Sequence, residues 1–154
     1  PMIDKFAKEG NPLAYKFPNV KAPDLGFSFS GIKTAFLYFL QKEVRQNPNF
    51  IEEHKADICA SVQHTLIKIL MRQLKKAAKV HQITEIGIAG GVSANSGLRK
   101  TLTAIGKEKG WNTYIPQFEY CTDNAGMIAV AAHYKYLASE FCGQDVSPMP
   151  RMKI

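Results

Sequence analysis

Residues 85–102, EIGIAGGVSANSGLRKTL, place the tightest limit on how this chain folds. Ile86, Ile88 and Ala89 are apolar with little alternation, the pattern of a strand covered on both faces. Gly90 and Gly91 follow at once, and two glycines permit a sharp turn and a close approach to the main chain. Ser93 and Asn95 stand where a helix would begin, and both residue types favour N-caps. Leu98, Leu102 and Ile105 recur at helical spacing before Gly110 ends the run. Strand, glycine turn and helix N-terminus together make a common site for nucleotides and other anions. Taken alone, the stretch is read more simply as a tight βα turn with a capping Asn, so a second feature has to converge on it.

The rest of the chain predicts where that feature lies. Residues 3–9 read as a short helix stopped by Gly10, and residues 11–25, with Pro12, Pro18 and Pro23, as an extended loop. Residues 27–30 alternate as a short strand. Ser30-Gly31 opens a helix with Ile32, Ala35, Phe36, Phe39 and Leu40 on one face, ending near Asn47-Pro48. Asn49 followed by Glu52 resembles a capping box. It starts a long helix in which Ile58, Val62, Leu66, Ile69, Leu70 and Leu74 share a face. Lys68, Arg72, Lys75 and Lys76 lie mostly elsewhere around its axis, and His81-Gln82 ends it. Residues 111–115 give a second short strand, broken by Pro116. Cys121-Thr122-Asp123-Asn124 then leads into AGMIAVAAHYKYLA, a helix apolar around most of its surface and so expected to be buried. The tail 143–154 holds Pro148 and Pro150 and is expected to be loose. Consecutive βα units set their turns on the same edge of a parallel sheet. Asn95 and Asp123 are therefore expected on one rim, each at the N-terminal end of a helix.

Composition bounds the partners. The 154 residues are 45% hydrophobic and 21% charged, enough for one globular domain with a core. No apolar run is long enough to span a bilayer, and the first residues do not resemble a signal peptide. The chain opens Pro1-Met2-Ile3-Asp4, which looks like the interior of a longer protein. A net charge of +7 favours an anionic partner such as RNA, a nucleotide or an acidic protein, although an ordinary basic protein has the same balance. The densest basic patch, Lys75, Lys76 and Lys79, is read as a solvated helix face. Cys59, Cys121 and Cys142 form no CxxC pair, which points to a reducing, cytoplasmic setting, as does the lack of an Asn-x-Ser/Thr sequon.

Asp123 heads a helix, where a carboxylate is favoured electrostatically; its alternative role is a metal ligand. His54, His64, His81 and His133 show no HxxxH or HExxH spacing, so a metal would need ligands from outside this chain. Ser30-Gly31-Ile32-Lys33 matches S-x-x-K, but without the S-D-N and K-T-G elements that motif requires, and Ser30 is read as an N-cap. Asp4 is an acid one turn into a short helix that needs no explanation; its functional role would be to accept a ribose hydroxyl.

Three blocks, FSFSGIKTAF, AGGVSANSGLR and CTDNAGMIA, resemble in order and separation the C-terminal half of the tRNA N6-adenosine threonylcarbamoyltransferase family, formerly called O-sialoglycoprotein endopeptidases. The opening PMIDKFAKEG resembles the family's segment just after its Pro-Gly-Gly turn. The resemblance covers nearly the whole chain. It implies an α/β, helix-rich fold: the second half of an actin-like, sugar-kinase-like (ribonuclease H-like) ATPase fold, with residues 1–154 as one domain of a longer two-lobed protein. It implies transfer of a threonylcarbamoyl group from threonylcarbamoyl-adenylate to N6 of an adenosine beside the tRNA anticodon. Asp4, Gly90, Gly91 and Asn95 match nucleotide-side positions, and Asp123 matches a ligand of a divalent metal, iron before zinc or magnesium. The family's H-x-x-x-H pair is absent here; Gly126 is a small departure within its block. The implied partners are tRNA, a paralogous actin-like subunit and a small ATPase, with no membrane. A metalloprotease and a non-catalytic nucleotide-binding module are the rival classes. Adenylate-dependent modification of tRNA, as against cleavage of a glycoprotein, separates the transferase from the protease. The chain by itself is expected to fold at least partly, to self-associate and to be inactive.

Overall fold

The computed structural model describes residues 2–19 and 22–147. Among these residues five helices and two strands follow in the order α1 (Met2–Ala7), α2 (Ser30–Gln46), α3 (Phe50–His81), β1 (Glu85–Gly87), α4 (Ser96–Lys109), β2 (Asn112–Tyr114) and α5 (Ala125–Leu137). Single 3-10 turns at Gly91–Ala94 and Phe118–Tyr120 precede α4 and α5. β1 and β2 pair in parallel, with Glu85 opposite Asn112, Ile86 opposite Thr113 and Gly87 opposite Tyr114. Parallel neighbours need a crossover, and α4 supplies it. The described residues are thus α/β and helix-rich, with a small parallel sheet.

Helix α3, at 32 residues about 48 Å long, is the spine. Its buried Met71 and Ala78 meet Leu98 and Leu102 of α4 and Ile86 of β1, and Ile67, Leu74, Ile105 and Trp111 close the edges. A second apolar group forms where the loop after α1 lies across α2 and α3. Tyr15 sits 5.0 Å from Phe39, and Phe17 sits 5.5 Å from Phe36, in the ring-to-ring range that favours aromatic pairs. That loop is also held through its backbone. The Asn11 N–H donates to Asp57 (2.7 Å), and buried Ser61 accepts from the Tyr15 N–H (3.1 Å) while donating to the Asn11 carbonyl (3.2 Å). Left-handed residues stop the two core helices, Gln82 (φ 54°) after α3 and Gly110 (φ 67°) after α4.

Several local expectations change. Residues 27–30 form no strand, because no neighbouring strand offers them a ladder; the Phe27 and Phe29 rings stack instead at 6.0 Å. Ser30 is the first residue of α2, and Phe29 holds the cap position. Asn49 does not cap α3 with its side chain. Asn47 organises that turn, accepting from the Asn49 N–H (3.0 Å) and donating to Glu53 (2.7 Å). β1 is three residues long and only Ile86 is buried; Ala89 is exposed, so the sheet is not covered on both faces. Helix α5 departs most. No residue of it is buried, and Ile128 is 73% exposed. Apolar composition creates the demand for burial, but none of the other described elements packs broadly on this helix. In the tail, residues 143–147 are exposed and irregular. Residues 148–154, like Pro1, Val20 and Lys21, lie outside the described residues.

Candidate functional site

The site is built on the two βα turns. After β1 the backbone reaches φ 77° at Gly90, a conformation closed to most side chains. Gly91 opens the 3-10 turn at an ordinary φ, so the demand for glycine rests on Gly90. The buried Ser93 hydroxyl donates to the Gly90 carbonyl at 2.7 Å and locks the turn. Asn95 then leaves the turn in extended conformation and caps α4, its Oδ1 accepting from the Leu98 N–H at 2.8 Å. Its Nδ2 donates to Gln63 Oε1 on α3 at 2.7 Å. A Cβ at Gly97 would come within 2.9 Å of both Gln63 and Ile67, so the first turn of α4 packs directly on α3.

Asp4 reaches this point from the other end of the sequence. Helix α1 packs along α3 and carries the Asp4 carboxylate to Ser96, where it accepts from the hydroxyl at 2.8 Å and the N–H at 3.2 Å. Partial burial pushes the carboxyl upward in pKa. The Ser96 hydroxyl, the Ser96 and Gly97 N–H groups and the Lys8 charge outweigh it, and Asp4 lies below the ordinary carboxylate value. Asp4 is therefore not an idle surface acid. The helix N-terminus that the glycine turn presents is already met by a carboxylate of the same chain.

The second turn lies beside the first. The Arg99 guanidinium donates to the Ser93 carbonyl (2.9 Å), the Pro116 carbonyl (2.5 Å) and Cys121 Sγ (3.5 Å), and stacks 4.3 Å from the Phe118 ring centre. One side chain thereby ties both turns to one edge of the sheet. A Cβ at Gly91 would lie 4.0 Å from Thr122 Cγ2, an ordinary van der Waals contact across the two turns. Asp123 follows Thr122 and is exposed. It is not the cap of α5: Asn124 takes that place, accepting from the Met127 N–H at 3.2 Å and donating to the Thr122 carbonyl at 2.8 Å. None of the hydrogen bonds and ion pairs among the described residues engages the Asp123 carboxylate, which faces solvent.

The predicted residues thus form two groups on neighbouring turns. Asp4 and Asn95 meet at the first turn of α4, Asp4 on Ser96 and Asn95 on the Leu98 N–H, with Gly90 and Gly91 just upstream, and Asp123 belongs to the adjoining turn. Gln63, Ser96 and Arg99 complete the arrangement and escape a reading by motif. Ser96 and Arg99 stand inside the glycine block, but Gln63 carries no local signal beyond a polar residue on an otherwise packed helix. Among the described residues, no three of His, Cys, Asp and Glu come together as a ligand set. The Asp123 carboxylate is exposed, and the described residues do not complete a ligand set around it. No helix of the described residues is long and apolar enough to cross a membrane.

Comparison with known proteins follows the same outline. The family model for tRNA N6-adenosine threonylcarbamoyltransferase matches residues 1–130. Curated proteins of that name are similar along the whole chain. The one from Cytophaga hutchinsonii is 56% identical over 154 residues, and the one from Christiangramia forsetii is 52% identical over 153. The one from Porphyromonas gingivalis is 47% identical over 154. The chain spans 45% of the length of each of these relatives. A model match over most of the chain, together with such identities, shows that this chain belongs to the tRNA N6-adenosine threonylcarbamoyltransferase family.

Proposed function

We propose that the complete protein transfers a threonylcarbamoyl group from threonylcarbamoyl-adenylate to N6 of the adenosine beside a tRNA anticodon, and that this chain supplies one wall of the adenylate site. In this reading the chain is the second half of an actin-like, two-lobed ATPase fold. The observation that carries it is the meeting of Asp4, Asn95 and Ser96 at the start of α4, one turn away from Asp123.

The hydrogen bonds already made leave room for a ligand. A carboxylate has about four acceptor sites, and Asp4 spends two of them on Ser96. It retains capacity for a ribose hydroxyl without releasing the helix. Asn95 uses one lone pair and one amide hydrogen, and keeps one of each for the adenylate. Gly90 and Gly91 leave the main chain bare beside them. Asp123 contributes one ligand to a divalent cation, iron in preference to zinc or magnesium, with the other ligands outside this chain. Bound there, the ion supplies Lewis-acid character. The amine of the target base is the nucleophile. A cytoplasmic setting, a paralogous actin-like subunit and a small ATPase belong to the same reading.

The test uses Asp123→Ala in the complete protein. Metal content by elemental analysis is expected to fall, and modification of tRNA with threonylcarbamoyl-adenylate to be lost, at unchanged thermal stability. Full metal occupancy together with full activity would show that Asp123 is only a loop residue.

A further inference from the structure

Helix α3 carries a row of basic side chains, His64, Lys68, Arg72, Lys75 and Lys79, at steps of four, four, three and four. Such steps keep successive side chains on one side of a helix. Three adjoining depressions follow this row. The middle one, between α3 and α4, shares Lys75 with the depression toward the end of α3, and shares His64 and Lys68 with the one under the loop that carries Lys16. No Asp or Glu lines any of the three. Glu108 stands outside them, paired with Lys109 at 2.9 Å, yet near enough to Lys75 to have its charge stabilised by it. Arg72 is held across the trough by Asn19. Lys68, Lys75 and Lys79 enter no ion pair among the described residues. A fourth, smaller depression is lined by Gln63, His64, Gly97 and Thr101. Gln63 is the residue that holds Asn95, so the trough leads to the start of α4.

We propose that this trough holds the phosphate backbone of the RNA substrate and guides it toward the α4 N-terminus. From Lys68 to Lys79 the charged part of the row runs eleven residues, about 16 Å at 1.5 Å per residue. That is long enough to follow several phosphates of one strand, spaced ~3.4 Å along a duplex axis. A single file of cations without interleaved acids suits a linear polyanion, where a globular acidic partner would meet a broad patch. Lys75 and Lys79 are exposed, as a solvated helix face requires, and the proposal adds a polyanion to that face. The choice of RNA among polyanions rests on the proposed tRNA substrate.

The experiment compares the complete wild-type protein with the triple variants Lys68→Glu/Lys75→Glu/Lys79→Glu and Lys68→Gln/Lys75→Gln/Lys79→Gln. Binding of labelled tRNA is measured by fluorescence anisotropy across a salt series, with adenylate binding by calorimetry as the control for folding. The expected result is at least about tenfold weaker tRNA binding near 0.15 M salt. The slope of log K against log salt should be shallower by about 2–3, at roughly 0.7–0.9 for each phosphate no longer neutralised. Adenylate affinity should be unchanged. Wild-type tRNA affinity and slope in both variants would overturn the trough while leaving the transferase reading intact. Trough-dependent tRNA binding by a complete protein that performs no modification would support the trough and remove the transferase reading. Polyglutamate competing as well as RNA at matched charge would overturn the assignment in favour of an acidic protein.

Discussion

The starts of α4 and α5 are written in nearly the same local code and end in opposite environments. Each follows a short parallel strand and a 3-10 turn, and each is capped by an Asn whose Oδ1 accepts an N–H three residues on, at 2.8 Å for Asn95 and 3.2 Å for Asn124. Helix α4 then buries Leu98 and Leu102 against α3 and β1, and its cap is braced by Gln63 and Asp4. Helix α5, the more apolar in sequence, buries nothing. The comparison separates two kinds of information. Turn and cap chemistry decide where a helix begins; an opposing surface decides whether it joins a core. Apolar side chains gain about 25 cal/mol for each Å² removed from water, and α5 collects almost none of that within this chain.

The contrast is broken most severely through the cores of the two helices. Leu102 is 0% exposed, and Leu102→Ala should cost about 2–5 kcal/mol through lost burial and the cavity left behind. Ile128→Ala in α5, measured on the same 154 residues, should stay within about 0.5 kcal/mol. Urea unfolding of both variants checks the pair. A comparable loss at Ile128 would mean that α5 finds a packing partner in solution.

The caps give the next effect. Asn95→Ala removes a cap and strips Gln63 of its partner, and should cost about 1–2 kcal/mol. Asn124→Ala, at an exposed helix, should cost no more than about 0.5–1 kcal/mol. Equal losses in thermal melts would show that the bracing by Gln63 adds nothing.

Asp4 provides the smallest and most selective probe. Its folded pKa is lowered below the ordinary 3.8, so it binds its proton less readily folded than unfolded. The stability it contributes is fully present above that ordinary value and is lost as pH falls through the lower folded one. Wild type should therefore exceed Asp4→Asn in stability at neutral pH, and the gap should close on acidification below 3.8. Urea titrations at a series of pH values read the gap directly. A gap that stays constant into acid would show that shape and neutral hydrogen bonds, rather than the charge of Asp4, secure Ser96.

Much of the site was legible because its signals are local. A glycine able to take φ 77°, an Asn at a helix start and a stop at Gly110 each act within a few residues, and each stands where the sequence pattern puts it. Parallel pairing followed from two strands joined through one helix, and with it the shared edge of the two turns. Other signals misled for the same reason. Alternation in residues 27–30 is a local fact, but a strand needs a neighbour to bond with, and stacked Phe27 and Phe29 took its place. Asn49 has the composition of a cap, yet Asn47, two residues earlier, supplies the acceptor.

By itself, then, the sequence determined the turns, the caps, the order of helices and strands, and through its three blocks the family. Those properties depend on torsional preference and short-range hydrogen bonding, which a few adjacent residues contain in full. Only the tertiary structure decided that Asp4 closes on Ser96 from 92 positions away, that Gln63 braces Asn95, and that Arg99 joins the two turns. It also decided that α4 is core and α5 is surface. These outcomes depend on which surfaces the long helix α3 brings within reach, and no local stretch encodes the distance between residues that meet only once the chain has packed.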